Sequence, residues 1–320
     1  MDTIPQIAVN FHAVLKDHTA GSPTEEDLIW TDLTVTDIAE RLTASGTPVS
    51  VHIVEHLLDE DAFHRRKAQK AQSMEEAKDR DAQFRNIARL TEEYLHTGDP
   101  ILSMDTKKRE LLGNFYRAGR LLTKQTLRTF DHDFPSYAEG VVIPHGLYDP
   151  RLNRGYVHLG TSHDTSAFAR DCLEDWWVRF GQVQYPRAKS LLLKCDGGGS
   201  NSARTYLFKT DLQALVNRVG LEVRVAHYPP YCSKHNPIEH RLFPHLTRAC
   251  QGVIFTHVGL VKRLMEKART RTGLAVVVDV IDKVYETGRK VTAEAKKALN
   301  YIRDQFLPQW NYRLLPQAQT

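Results

Sequence analysis

Cysteine is scarce in this chain. There are four (Cys172, Cys195, Cys232 and Cys250), and none sits in a CxxC pair. That spacing excludes a zinc ribbon and gives no disulfide framework. Long apolar runs are missing too, since none approaches the roughly 18 residues that mark a membrane span. The opening MDTIPQIAVNFHAVLKDH has no basic stretch followed by an apolar block, as a secretory leader would. These absences point to a reduced, cytoplasmic protein with no membrane partner. Basic residues are nearly absent from the first sixty positions, where Lys16 and Arg41 face eleven Asp and Glu, a net of −9. The whole chain carries +4, so residues 61–320 carry +13. A basic body is the electrostatic footprint of a protein that holds a phosphate backbone.

With 320 residues, 41 % of them apolar, the chain can bury a large core without a metal or disulfide, and its length allows about two domains. The first thirty residues show no sustained period. In WTDLTVTDIAERLTASGTPVSVHIVEHLLDE, Thr36 is placed to cap a helix holding Ile38, Ala39 and Leu42. The turn Ser45-Gly46-Thr47-Pro48 then leads to a second helix striped by Val51, Val54, Leu57 and Leu58. This is a helix-turn-helix candidate spanning 1–65. Its second helix carries His52, Glu55 and His56 but no Arg or Lys, which equips it poorly to read guanines. Residues 66–98 are highly charged, lack Pro before position 100, and read as a helical linker.

From Pro100 the pattern changes to strands. PILSMDT, LLGNFYR, VVIPHGLYD and GYVHLGTSH read as strands, the last two joined as a hairpin through PRLNR. A helix over DTSAFARDCLEDWWVRF, the strand LLLKCD, a helix ending at Gly220, the strand EVRVAHYP and the helix NPIEHRLFPHLTRACQG follow. Strands interleaved with helices over 99–290 make an α/β domain. Residues 291–320 read as a C-terminal helical tail.

Three acids share a special setting. Asp105 and Asp196 end strands, and Glu239 sits in the first turn of a helix after the last strand. Strand ends of an α/β sheet are where such folds build their sites. Gathered carboxylates repel, and a hard cation such as Mg²⁺ relieves that repulsion while leaving room for waters and substrate phosphates. Two such ions can stabilise both the attacking and the leaving oxygen of a phosphoryl displacement. Each acid also has a plainer reading. Asp105 suits an Asx-turn, Asp196 a helix cap or part of a glycine phosphate cradle, and Glu239 a capping box with Asn236.

The strings MDTKKRELLGNF (104–115), DFPSYAEGVVIPHGLYD (133–149), GTSHDT (160–165), CDGGGSNS (195–202) and SKHNPIEHRLF (233–243) are long and occur in family order. On them the chain resembles the DDE transposases of bacterial insertion sequences, of the Rhodopirellula type. The resemblance implies an RNase H-like mixed β-sheet flanked by helices. It implies Asp105, Asp196 and Glu239 as the catalytic and metal-holding set, with Mg²⁺ (Mn²⁺ substituting), two ions in all. It also implies DNA as the partner, both transposon ends and target, with a homo-oligomer assembled on it. Lys107, Lys108 and Lys234 lie near the acids in sequence and are candidates for holding phosphates. His163 and His240 flank the site and fall outside the catalytic set. Compared with the family, the chain begins partway through its DNA-binding region, and His235 and Pro237 depart from the usual SKxNxIEH stretch. The alternative is a shortened, inactive relative that only binds DNA or oligomerises.

Overall fold

The computed structural model describes residues 6–21, 29–66, 79–203 and 205–317. They belong to two units, 1–72 and 73–320.

The first unit is built on helix α1 (Gln6–Lys16), a short β1 (Thr19–Gly21) and β2 (Ile29–Thr31) hairpin, and helices α2 (Val35–Ala44) and α3 (Val51–Glu60). Phe11, Leu15, Ile38, Leu42, Val54 and Leu57 close a small core between the three helices. The expected helix pair is present. The cap, however, is Thr34 rather than Thr36. Its side chain accepts from the Asp37 N–H, and the Asp37 carboxylate accepts from the Thr34 N–H at 2.9 Å. A capping pair three residues apart satisfies two otherwise orphaned donors at once, and Thr36 has no such partner. Helix α1 was not legible as a period because only Phe11 and Leu15 of its face are buried.

In the second unit, helix α4 (Arg80–Thr97) precedes strands β3 (Ile101–Thr106), β4 (Glu110–Leu112), β5 (Gly140–Asp149) and β6 (Arg154–Gly160). Helix α5 (Ser166–Trp176) runs through a π-turn into a short α6 (Gln182–Gln184). Then come β7 (Ser190–Asp196), α7 (Tyr206–Val219), β8 (Glu222–Tyr228), α8 (Pro237–Arg241), α9 (Phe243–Ala249) and α10 (Val258–Met265). Strand β9 (Ala275–Ile281), a turn of helix α11 (Ala293–Lys297), β10 (Tyr301–Arg303) and β11 (Asn311–Leu314) complete it. The sheet order is β10-β11-β8-β7-β3-β5-β6-β9, with β4 against β5. Strands β3, β5 and β6 run antiparallel, while β7 and β8 lie parallel to β3. This is the RNase H-like mixed sheet, flanked by helices. Helices α5 and α7 cover one face through Ala169, Leu173, Trp176, Phe208 and Leu212, and α8 to α10 cover the other through Ile238, Leu246 and Val261.

Four further expectations are corrected. The charged stretch before Pro100 is not a linker over its whole length. Residues 67–78 lie outside the described residues, but α4 buries Ile87, Leu90 and Tyr94 against Ile101, Leu192 and Tyr228 of the sheet. The tail is not helical beyond the one turn of α11. Strand β11 pairs with β8 and covers its edge, so the backbone donors and acceptors of that edge are satisfied within the sheet. The single helix expected from Asn236 is broken at Leu242, because Pro244 has no N–H to continue the ladder and begins a new helix instead. Of the LLGNFYR segment only Leu111 and Leu112 are strand, continuing from Glu110.

Candidate active site

Period two along the strands decides where the acids face. On β3, Leu102 and Met104 enter the core under α5 and α7, so Ser103 and Asp105 belong to the opposite face, which α8 covers. On β7, Leu191, Leu193 and Cys195 enter the same core, so Asp196 joins Asp105 on the α8 side. Met104 pairs with Cys195 in parallel register, which sets the two aspartates side by side at the C-terminal ends of neighbouring strands.

Glu239 reaches them because α8 lies flat on the sheet. Gly146 of β5 pairs with Asp105, and a Cβ there would stand 2.8 Å from the Phe243 ring and 2.9 Å from Ile238 Cδ1. Only glycine permits that approach. Asn236, fully buried at the start of α8, fastens the helix to the strand. It accepts from Ser103 Oγ, donates to the Met104 carbonyl at 3.2 Å and hydrogen-bonds Asp196. Ser103 Oγ in turn accepts from the Ile238 N–H at 3.2 Å. Asn236 therefore does not cap α8 with its side chain, and the capping-box reading of Glu239 falls away. Asp196 has no cap role either, since α7 begins at Tyr206 with Thr205 at its cap position. Asp105 does accept from the N–H of Thr106, at 2.8 Å.

Electrostatics mark the cluster. Burial, then the charge of Asp196 and contact with Glu239, push the Asp105 carboxyl up to about 8. Burial and the charge of Glu239 raise Asp196 to about 6, against a hydrogen bond from Asn236 that lowers it. Asp105 and Glu239 share a hydrogen bond, which requires a proton on one of them. Asp196 Oδ1 is buried without a hydrogen-bond partner. An orphaned carboxylate oxygen beside two further hard oxygen donors fits a divalent cation such as Mg²⁺. Among the described residues no three His, Cys, Asp or Glu side chains form a ready-made cage.

The family model for the Rhodopirellula transposase DDE domain matches residues 10–316. The chain belongs to this family of DDE transposases. It is thus an enzyme of the nuclease and strand-transferase kind that acts in DNA transposition. No curated protein matches it. Among solved structures it is similar to the Mos1 transposase paired-end complex with left transposon end, at 16% identity, with 81% of this chain and 70% of that one covered and a TM-score of 0.46. It is also similar to the Mos1 mariner paired end complex with Mn, at 15% identity, with 83% and 72% covered and a TM-score of 0.46.

The lysines of this transposase separate into two kinds. Lys107 is largely buried and paired with Glu110, which Arg117 also approaches at 3.5 Å, so it is not free as expected to meet a phosphate. Lys108 and Lys234 are exposed. His163 is exposed, and the His240 ring contacts the carbonyl of Lys234. Trp176 is fully buried and packs in the core.

Sequence reasoning missed the residues that hold the acids in place. His227 on β8 is fully buried, and desolvation lowers it to about 4, so it is neutral at pH 7. It donates from Nδ1 to the Asp196 carbonyl at 3.1 Å and accepts at Nε2 from the Tyr312 hydroxyl at 3.1 Å. Gln83 of α4 donates to the His227 carbonyl at 2.9 Å and exchanges hydrogen bonds with Asn311. Nothing in local spacing links 83, 227 and 312. Asn236 alone was visible, inside SKHNPIEH, though as a cap.

No helix among the described residues is long and apolar enough to cross a membrane.

Proposed function

We propose that this transposase cleaves DNA strands at transposon ends and joins them to target DNA at Asp105, Asp196 and Glu239. The convergence of these three carboxyls on one sheet edge, with Asp196 Oδ1 left without a partner, carries the reading. Asp105, Asp196 and Glu239 would together hold the divalent cations, two in all. Bound there, Mg²⁺ or Mn²⁺ supplies positive charge to the attacking and leaving oxygens of an in-line displacement.

The chain's own residues do the rest. Asn236 and His227 hold Glu239 and Asp196 against the strand ends, so the donors need no rearrangement as substrate arrives. The hydrogen bond between Asp105 and Glu239 holds one proton, which would pass to solvent if both carboxylates came to hold a cation. No side chain serves as nucleophile. Water attacks the phosphodiester first, and the freed 3′-hydroxyl then attacks target DNA at the same carboxylates. Exposed Lys108 and Lys234 are suited to hold flanking phosphates, and the DNA would assemble copies of the chain as a homo-oligomer.

The test is nicking of a duplex carrying the element's end. Cutting is expected with Mg²⁺ or Mn²⁺ and not with Ca²⁺, whose looser coordination positions the oxygens poorly. Robust cutting in excess chelator would remove the reading.

A further inference from the structure

Thr106 follows Asp105 at the end of β3, and no step of the reaction as described uses it. Its side chain leaves the strand on the face opposite Asp105. Its backbone N–H nevertheless donates to Asp105 Oδ1 at 2.8 Å. Topology frees that N–H for the task. Successive N–H groups of a strand point to opposite neighbours, and the Lys107 N–H donates to the Pro144 carbonyl of β5 at 2.9 Å. The Thr106 N–H therefore points toward β7, whose pairing with β3 ends at Met104 and Cys195. Past that pair the ladder no longer claims it.

The side chain supplies the hold that the ladder does not. His145 of β5 lies opposite Thr106 in register, and its Nδ1 stands 2.8 Å from Thr106 Oγ1. The Thr106 hydroxyl donates to Asp164 Oδ1 at 3.3 Å, so its oxygen accepts from the His145 Nδ1–H. Asp164, from the GTSHDT string, also hydrogen-bonds Ser200 in the loop that follows Asp196. The His145 ring is fully buried and lies 5.6 Å from the Phe168 ring of α5. Burial, then the charge of His158, pushes it down to about 3, so the ring is neutral and carries one proton.

Burying this ring is costly. Among the described residues its Nε2 has no hydrogen-bond partner, and neither has Nδ1 of His158, its cross-strand neighbour on β6. Stability alone favours an apolar side chain at 145, because a buried polar atom left unpaired is unfavourable. The one hydrogen bond the ring makes, to Thr106, accounts for its presence.

We infer that Thr106, hooked by His145, is a positioning residue for Asp105: it fixes the N–H that turns the Asp105 carboxylate toward the cation. The inference rests on the proposed function and names what aims one of its three acids.

The experiment measures Mn²⁺ binding by the full chain without DNA, reading free Mn²⁺ from its electron paramagnetic resonance signal. Partners that orient a metal ligand are worth about 10–100-fold in affinity. Thr106→Val keeps the shape of the side chain without its hydroxyl, and is expected to weaken Mn²⁺ binding about tenfold or more. Thr106→Ser keeps the hydroxyl and should bind as the unaltered protein does. His145→Leu should match the loss in Thr106→Val, and the double variant should lose no more than either, because both cut the same bond. Melting curves identify a variant that does not fold, and if His145→Leu is one, the Thr106 pair decides. Binding of a duplex in chelator should be the same for every folded variant. Undiminished Mn²⁺ binding in Thr106→Val would overturn the inference. So would an equal loss in Thr106→Ser and Thr106→Val, which would mark a packing effect. Asp105→Asn keeps this apart from the proposed function. If Asp105→Asn loses Mn²⁺ while Thr106→Val keeps it, only the role of Thr106 fails. If Asp105→Asn binds Mn²⁺ as the unaltered protein does, the proposed function fails first.

Discussion

The side chain of Asn236 donates to the carbonyl of Met104 at 3.2 Å, and so ties the helix of Glu239 to the strand of Asp105. Because Asn236 also meets Ser103 and Asp196, one buried amide holds all three acid-bearing elements together. Asn236→Asp keeps the shape but loses both amide donors and adds a fourth negative charge. We expect nicking to fall at least a hundredfold and stability to fall by about 1–3 kcal/mol, the scale of a buried group left unpaired. Nicking rates beside melting curves check this. A variant normal in both would show that Asn236 is dispensable.

The raised carboxyls make metal-free stability depend on pH. Folded Asp105 binds its proton up to about pH 8, whereas an unfolded aspartate releases it near its ordinary value of 3.8. The folded state therefore holds more protons between these limits, and stability falls as pH rises from about 4 to about 8. Asp196, raised to about 6, adds to the loss over the lower part of that window. In chelator, Tm should be lower at pH 8 than at pH 5 from this source. Asp105→Asn should raise Tm at pH 8 while abolishing nicking, and Mg²⁺ should raise Tm of the unaltered protein at pH 8 far more than at pH 5. Melting curves at both pH values decide it. A flat response to Mg²⁺ at pH 8 would count against the carboxylates as its site.

Glu239 separates charge from structure. It makes no cap contact through Asn236, and its partner is Asp105. Glu239→Gln can still donate to Asp105 but is a poor ligand for a hard cation. Unchanged Tm with nicking lost is the expected outcome. If the Gln variant kept most of its nicking, Glu239 would leave the site.

The catalytic unit should need its C-terminal strand. Removing residues 300–320 exposes the edge of β8 and deprives His227 of Tyr312. A chain of 73–299 should lose cooperative unfolding, while 73–320, one of the two units, should keep it. Thermal melts of the two fragments test the pair. Cooperative melting of the shorter one would put the strand outside the fold's requirements.

Local chemistry was enough to reveal much of this protein. The apolar run LLLKC, the hairpin around PRLNR and the glycine stop at Gly220 each specify their element within a few residues, because burial, turn conformation and capping act over short spans. The three acids were legible for the same reason: strand ends and a first helical turn can be read from neighbours. What the sequence by itself did not determine is what depends on partners far along the chain. Helix α4 reads as a charged surface because only one narrow stripe, Ile87, Leu90 and Tyr94, is apolar, and its burial depends on a sheet formed by residues 101–228. Tyr301–Arg303 and Asn311–Leu314 are too short to announce themselves as strands, and only the open edge of β8 makes them so. Asn236, His227 and Tyr312 acquire their roles from contacts 85 to 133 positions away or from a neighbouring strand, the separation at which spacing carries no signal. Sequence alone decided which chemistry the chain carries. The tertiary structure decided which side chains hold that chemistry in place.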